Sequence, residues 1–404
     1  MNKINYTKIY YYSILIFAFI LPLSRAGISF FVTILPLIYL IEGDFKNKYN
    51  KIKSNKILIA LGIYIVYSAL TILWSTDIEM ALHIIRLNLY LLTIFVIATS
   101  LKKEYIYHII TIFLVGMFVS EFIAYGVFFE LWQFKYATPV NPSPFMMHMD
   151  YSVFMAFTSI LLLNRILSSH YNLKEKLVFG FFFLTVTGNL FLATGRTGQV
   201  AFIAGIIIMT ILHFRVSIKS FILSIILLTT IFTTAYNISD SFKMRVGHTV
   251  ADIEKMKDGD FSGSWGIRVA YWIVTYNIIQ EYPLGVGIGD FELVINEELK
   301  KDQYMFFSNG TKYFMCNNHP HNQFLVILLQ MGAIGIVLFL YFIYQILAIK
   351  IEDKELKNLS VIFMIIYLVG CFGEPLMLKQ FTLTLFALFI GLFLSYNNEK
   401  LKEL

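Results

Sequence analysis

His319-Pro320-His321-Asn322 stands immediately before a long apolar run, and the types and placement of these side chains suit proton transfer. An imidazole titrates near neutral pH and can take a proton from a hydroxyl, as a general base must. His321 is the sharpest candidate, with His319 two residues earlier and Asn322 beside it. A lone histidine is usually a satisfied structural group, but this one has polar company. Cys316, His319 and His321 also carry donor atoms for a metal. Their spacing fits no standard zinc pattern and no second cluster accompanies them, so neither a metal nor a cofactor is expected.

Arg196 lies in Ala193-Thr194-Gly195-Arg196-Thr197-Gly198, a tight hairpin between two apolar stretches. A cation near bilayer depth costs about 2.5–3.5 kcal/mol unless it is paired or faces water. A solitary arginine there is ordinarily a snorkelling side chain. The two glycines favour more, because they let backbone and ligand approach closely. Arg268 follows Gly263-Ser264-Trp265-Gly266-Ile267, and Ile267 to Gln280 has amphipathic helical spacing that puts Arg268 in the first turn. Its Trp and Tyr residues suit an interfacial helix, where an arginine can also simply touch lipid phosphates.

Two further charges, Arg25 and Glu374, stand at the ends of apolar segments and are expected to pair with one another or with loop arginines. Asp258-Gly259-Asp260 looks like a solvated turn. Gly285, Gly287 and Gly289 mimic part of a dinucleotide fingerprint but follow no predicted strand. They read better as a turn packed against other backbone.

The elements that must position these residues are membrane helices. Of 404 residues, 58% are hydrophobic and only 14% charged, and mean hydropathy is +0.70. Apolar runs of roughly 15 to 25 residues recur along the chain, the length that crosses about 30 Å of hydrocarbon. Inside lipid each segment must satisfy its own backbone, so continuous runs are helices, and the alternation of a β-barrel is missing. The expected fold is an all-α polytopic membrane protein of about twelve transmembrane helices, near 9–23, 27–41, 57–74, 84–100, 105–128, 151–168, 177–194, 198–214, 219–236, 322–348, 358–373 and 380–396. It divides into 1–236 with helices one to nine, a large polar loop at 237–321 with interfacial helices, and 322–404 with helices ten to twelve.

Lysines and arginines set the orientation. Lys3 and Lys8, the group from Lys46 to Lys56, Lys102 and Lys103, Arg165 with Lys174 and Lys176, Arg215 and Lys219, Lys350 to Lys357, and Lys400 and Lys402 all fall on one side if both termini are cytoplasmic. The large loop then lies outside the cytoplasm. The net charge of +6 is mostly this collar, so nucleic acid is not an expected partner. With Cys316 in the loop and Cys371 in a span, no intramolecular disulfide is expected.

His321-Asn322, nine residues Gln323 to Met331, and then Gly332-Ala333-Ile334-Gly335 resemble the histidine signature of bacterial O-antigen ligases. Pro283-Leu284-Gly285-Val286-Gly287-Ile288-Gly289-Asp290-Phe291 is similar to the core shared with O-antigen polymerases and protein O-oligosaccharyltransferases. The layout, with one large loop before span ten, is similar too. The resemblance implies a bacterial inner-membrane glycosyltransferase whose active site faces the periplasm. Its donor would be a glycan on undecaprenyl diphosphate and its acceptor the lipid A–core oligosaccharide. It further implies that Arg196 and Arg268 bind the diphosphate and His321 activates the acceptor hydroxyl. Transfer would be metal-independent and inverting. His319, Asn322, Arg25 and Glu374 are candidate supporting residues. A repeat unit or a protein hydroxyl are alternative acceptors. A polysaccharide transporter or flippase is a reading from another class, disfavoured because the polar candidates cluster on one face.

Overall fold

A computed structural model describes residues 5–397, so Lys3, Lys400 and Lys402 of the orientation argument lie outside the described residues. Among these residues the protein is built from helices without a strand. The first half contains α1 (Tyr6–Ile20), α2 (Arg25–Glu42), α3 (Phe45–Ser54), α4 (Lys56–Leu70), α5 (Ile78–Asn88), α6 (Leu92–Ser100), α7 (Ile106–Phe128) and α8 (His148–Leu167). There follow α9 (Leu173–Leu192), α10 (Arg196–Phe214) and α11 (Ile218–Ile238). The polar interval folds into α12 (Asp240–Lys257), α13 (Ser264–Glu281), α14 (Phe291–Glu298) and α15 (Asn309–Cys316). The chain ends with α16 (Gln323–Leu347), α17 (Lys354–Gly373) and α18 (Gln380–Ser395).

Ten helical segments among the described residues are long and apolar enough to cross a membrane. The other two expected spans are helical but shorter, 15 residues in α1 and 16 in α18. Burial explains how α18 is tolerated: every residue from Phe381 to Ser395 is buried, so protein rather than lipid surrounds it. By contrast α11 buries only Ser220, Ser224 and Ala235 and leaves most of its apolar surface exposed, as a lipid-facing helix does. The lysine-rich stretch after the second span, expected as a loop, forms the amphipathic helix α3.

Polar caps start several helices. Asn172 and Glu175 form a reciprocal capping box on α9, and Asp353 accepts from Leu356 at the start of α17. Asn322 accepts from the backbone N–H groups of Phe324 and Leu325, which fixes where α16 begins and hence where His321 stands.

Span ten is not continuous. Gly332 has φ 62° and ψ −159°, which breaks α16 after its first nine residues. The strap Pro283–Asp290 fills the break. Val286 N–H donates to Leu329 O at 2.8 Å, Gly287 N–H to Gln330 O at 3.2 Å, and Ala333 N–H to Pro283 O at 3.0 Å. Thus the carbonyls freed by the break find partners, as a non-helical turn within a span requires. Gly285 and Gly332 sit face to face, and a Cβ on Gly285 would lie 2.5 Å from the Gly332 nitrogen. The alternating glycines are therefore a close-packing device, as their lack of a preceding strand suggested.

At the strap's end Asp290 is 2% exposed and anchors the segment after α4. It accepts from Ser75 Oγ (2.7 Å), Thr76 N (2.7 Å), Thr76 Oγ1 (2.8 Å) and Asp77 N (2.8 Å). Burial by itself would raise the Asp290 pKa, but these donors outweigh it and hold it below the usual carboxylate range.

Candidate functional site

The short turn Gly373–Glu374 between α17 and α18 is where the site assembles. Glu374 is 1% exposed and its two oxygens face different partners. Oε1 lies 3.0 Å from His321 Nδ1, and Oε2 accepts from Lys379 Nζ at 2.9 Å. Burial pushes the Glu374 pKa up, but the His321 hydrogen bond and the Lys379 charge prevail and hold it at about 2. Lys379 also reaches Asp150 Oδ1, 3.5 Å away near the start of α8.

His321 is held on several sides. Its ring stacks on Phe314 of α15 at 5.8 Å and meets the His319 ring edge-on at 5.3 Å. Its neighbour Asn322 caps α16 and donates to Phe372 O at 3.4 Å, tying α16 to the end of α17. Gln323 accepts from Met377 N–H at 2.8 Å across the same junction. Burial and the adjacent His321 lower the His319 pKa, favouring a neutral second imidazole.

Arg268 comes to the same turn from α13. Gly263 caps that helix, which begins at Ser264, so Arg268 lies beyond the first turn that the sequence predicted. Its guanidinium folds back to Ser264 O (2.8 Å) and Oγ (2.9 Å) and reaches Gly373 O at 3.5 Å. It also lies over the Trp265 ring at 5.8 Å. Burial lowers its pKa while Glu374 and Asp252 oppose the shift.

Arg196 is the first residue of α10. With Trp265 it lines a cavity of about 470 Å³ whose walls include Phe191, Val200, Phe232 and Val246. The neighbouring Thr197 sits against Gly373, whose added Cβ would meet Thr197 Oγ1 at 3.0 Å. Gly195 and Gly198 serve a different purpose from the one expected. The backbone they admit belongs to α8: Gly198 N–H donates to Ser152 Oγ at 3.1 Å, and a Cβ there would lie 2.1 Å from Ser152 O. They seat the hairpin on α8 and leave no room for a ligand between.

Not every expected pairing forms. Glu374 takes His321 and Lys379, while Arg25 lies over the Phe381 ring at 5.7 Å and its carbonyl accepts from Gln380. Sequence reasoning missed Lys379 and Asp150, which sit in otherwise apolar stretches. A lysine five residues after a buried glutamate was the available signal. Asp258-Gly259-Asp260 is a turn after α12, where Asp260 accepts from Ser262 N and Oγ.

Among the described residues, the trio that could hold a metal is His319, His321 and Glu374, with ligand atoms within 4.8 Å of one another, rather than one including Cys316. The fit is poor. Lys379 already places an ammonium 2.9 Å from the same carboxylate, and a divalent ion there would meet like-charge repulsion.

The arrangement thus offers an oriented imidazole, a buried anion behind it, two guanidinium groups and an adjoining apolar cavity. Comparison with known proteins adds a family match over part of the chain. Residues 181–340 match the family described as O-antigen ligase, an interval containing Arg196, Arg268, His321 and the strap. A Rickettsia conorii (strain ATCC VR-613 / Malish 7) protein provisionally named a polysaccharide ligase is 34% identical over 108 residues, 26% of this chain and 25% of that protein. The alignment spans about a quarter of the length of this curated relative.

Proposed function

We propose, from the match of residues 181–340 to the O-antigen ligase family, that this protein transfers a glycan from undecaprenyl diphosphate to a hydroxyl of the lipid A–core oligosaccharide at the periplasmic face of the bacterial inner membrane. The observation that carries this reading is the convergence at Gly373–Glu374. Arg268 reaches Gly373 O, His321 bonds Glu374, and Thr197, next to Arg196, packs on Gly373.

The chemistry follows from the side chains. With Nδ1–H donating to Glu374, His321 Nε2 is free to accept a proton. It takes that proton from the acceptor hydroxyl as the oxygen attacks the anomeric carbon. The bond from that carbon to the diphosphate oxygen breaks, and the electron pair leaves with the lipid diphosphate. A single displacement of this kind inverts the anomeric centre. Arg196 and Arg268 hold the diphosphate through planar, permanently charged forks and stabilise the negative charge that grows on it. The apolar cavity beside Arg196 suits the first isoprene units of the carrier, with the cation at its mouth. No divalent ion is needed for departure of a diphosphate so clamped.

The same donor chemistry fits a polymerase or a protein O-oligosaccharyltransferase, and acceptor choice separates the three. Deleting the gene and running lipopolysaccharide on gels makes the distinction. Loss of long-chain material with accumulation of carrier-linked glycan supports the ligase; survival of one-unit caps points to a polymerase. In purified protein, His321→Ala should lower transfer by roughly 10²–10⁴-fold while the variant still inserts, and EDTA should leave wild-type transfer intact. Activity lost to EDTA and restored by a divalent ion would overturn the metal-free mechanism.

A further inference from the structure

At the end of α16 opposite His321 lies a second cavity of about 500 Å³ that the proposed transfer reaction does not use. Three lysines from separate elements converge on it: Lys51 from α3, Lys56 from α4 and Lys350 from the turn after α16. Ser54, Asn55, Gln345 and Asn397 add polar groups, and among the described residues no carboxylate lines it. The neighbouring cavity differs. There Lys48 meets Glu42 at 2.7 Å, and Asp44 is also in the wall.

The rim is fixed by hydrogen bonds. Lys51 Nζ donates to Thr99 O at 2.6 Å, Asn397 Nδ2 donates to Lys350 O at 2.8 Å, and Asn55 caps the first turn of α4. Lys56 and Lys350 are exposed. The floor is apolar, formed by Ile57, Leu58, Ala98, Ile349 and Leu394 at the ends of membrane helices. Clustered cations above an apolar floor, at the level where spans end, match one kind of occupant.

We propose that this cavity binds the headgroup phosphate of an anionic phospholipid, with the acyl chains descending along the exposed apolar sides of α4 and α16, where Ile59 and Leu347 face outward. A phosphate accepts from several ammonium groups at once, and basic pockets between spans recognise acidic lipids by this means. The apolar floor favours a lipid over free phosphate. The proposal is independent of the glycosyl-transfer reading, because it concerns the other end of the helix bundle.

Native mass spectrometry of the full chain in neutral detergent tests it. Phosphatidylglycerol, phosphatidylethanolamine and inorganic phosphate are added separately. The wild type should retain phosphatidylglycerol well above phosphatidylethanolamine and show no saturable phosphate binding. Lys56→Gln and Lys350→Gln should each weaken phosphatidylglycerol retention about fivefold, with a multiplicative loss in the double variant. Lys354→Gln, on the same face but outside this cavity, should change nothing. Equal loss in Lys354→Gln would reduce the effect to a general basic collar and overturn the site. Equal retention of phosphatidylethanolamine overturns the charge argument, and saturable inorganic phosphate binding overturns the lipid as its ligand. Exposed lysine-to-glutamine changes leave folding intact, which unchanged glycan transfer in the same preparations will register.

Discussion

With Glu374 held anionic 3.0 Å from His321 Nδ1, a proton on that nitrogen has a fixed acceptor, and an imidazolium formed in the proposed transfer would have a counter-ion already in place. Glu374→Gln preserves size but removes that charge. In the proposed mechanism it should lower turnover roughly tenfold or more with little change in apparent donor affinity, since the diphosphate is held by arginines. A change confined to affinity would mean that Glu374 acts on binding. The same carboxylate gives a stability expectation with a defined sign. Its folded pKa is about 2 against an ordinary 4.5, so its contribution is complete above pH 4.5 and is lost as pH falls toward 2. Unfolding measured across that window should show a weaker acid dependence in Glu374→Gln than in wild type. Equal slopes would place the Glu374 charge outside the stabilising network.

At the scale of elements, the break in α16 and the strap Pro283–Asp290 depend on one another. Gly332→Ala would put a Cβ 2.3 Å from the Leu284 carbonyl carbon at a positive φ. A destabilisation of about 2 kcal/mol or more is expected from the backbone conformation and the clash. Asp290→Ala removes the acceptor of four hydrogen bonds from partly exposed donors, which should cost about 1–2 kcal/mol. Thermal unfolding in detergent measures both changes. If either variant melts with wild-type stability, the strap is not what holds the outer end of α16. Because His321 is one residue from the cap of α16, both variants should also lose transfer activity through misplacement of the imidazole.

For the whole molecule the remaining question is which side each face occupies. The lysine collar predicts that α3 is cytoplasmic and that the turn after α12 is outside. In a Cys316→Ser background, a membrane-impermeant maleimide should label Ser262→Cys in cells with a permeabilised outer membrane and spare Lys46→Cys. Reversed labelling would invert the protein and take His321 away from a periplasmic substrate.

Much of this was readable in the linear chain, because membrane helices are specified locally. A lipid-spanning segment must be apolar and satisfy its own hydrogen bonds, so length and hydropathy alone located twelve helical segments and marked 237–321 as different. The His321-to-Gly335 spacing likewise carried the resemblance to O-antigen ligases that the match over residues 181–340 repeats, since a motif is a local pattern. What tertiary structure decided was long-range partnership. Nothing near Lys379 in sequence announces that it closes on Glu374 and Asp150, and nothing at Gly332 shows that its carbonyl-rich break is filled by a strap some forty-five residues away. Buried charges select partners by position in space, and the glycines flanking Arg196, apparently room for a ligand, proved to be room for α8.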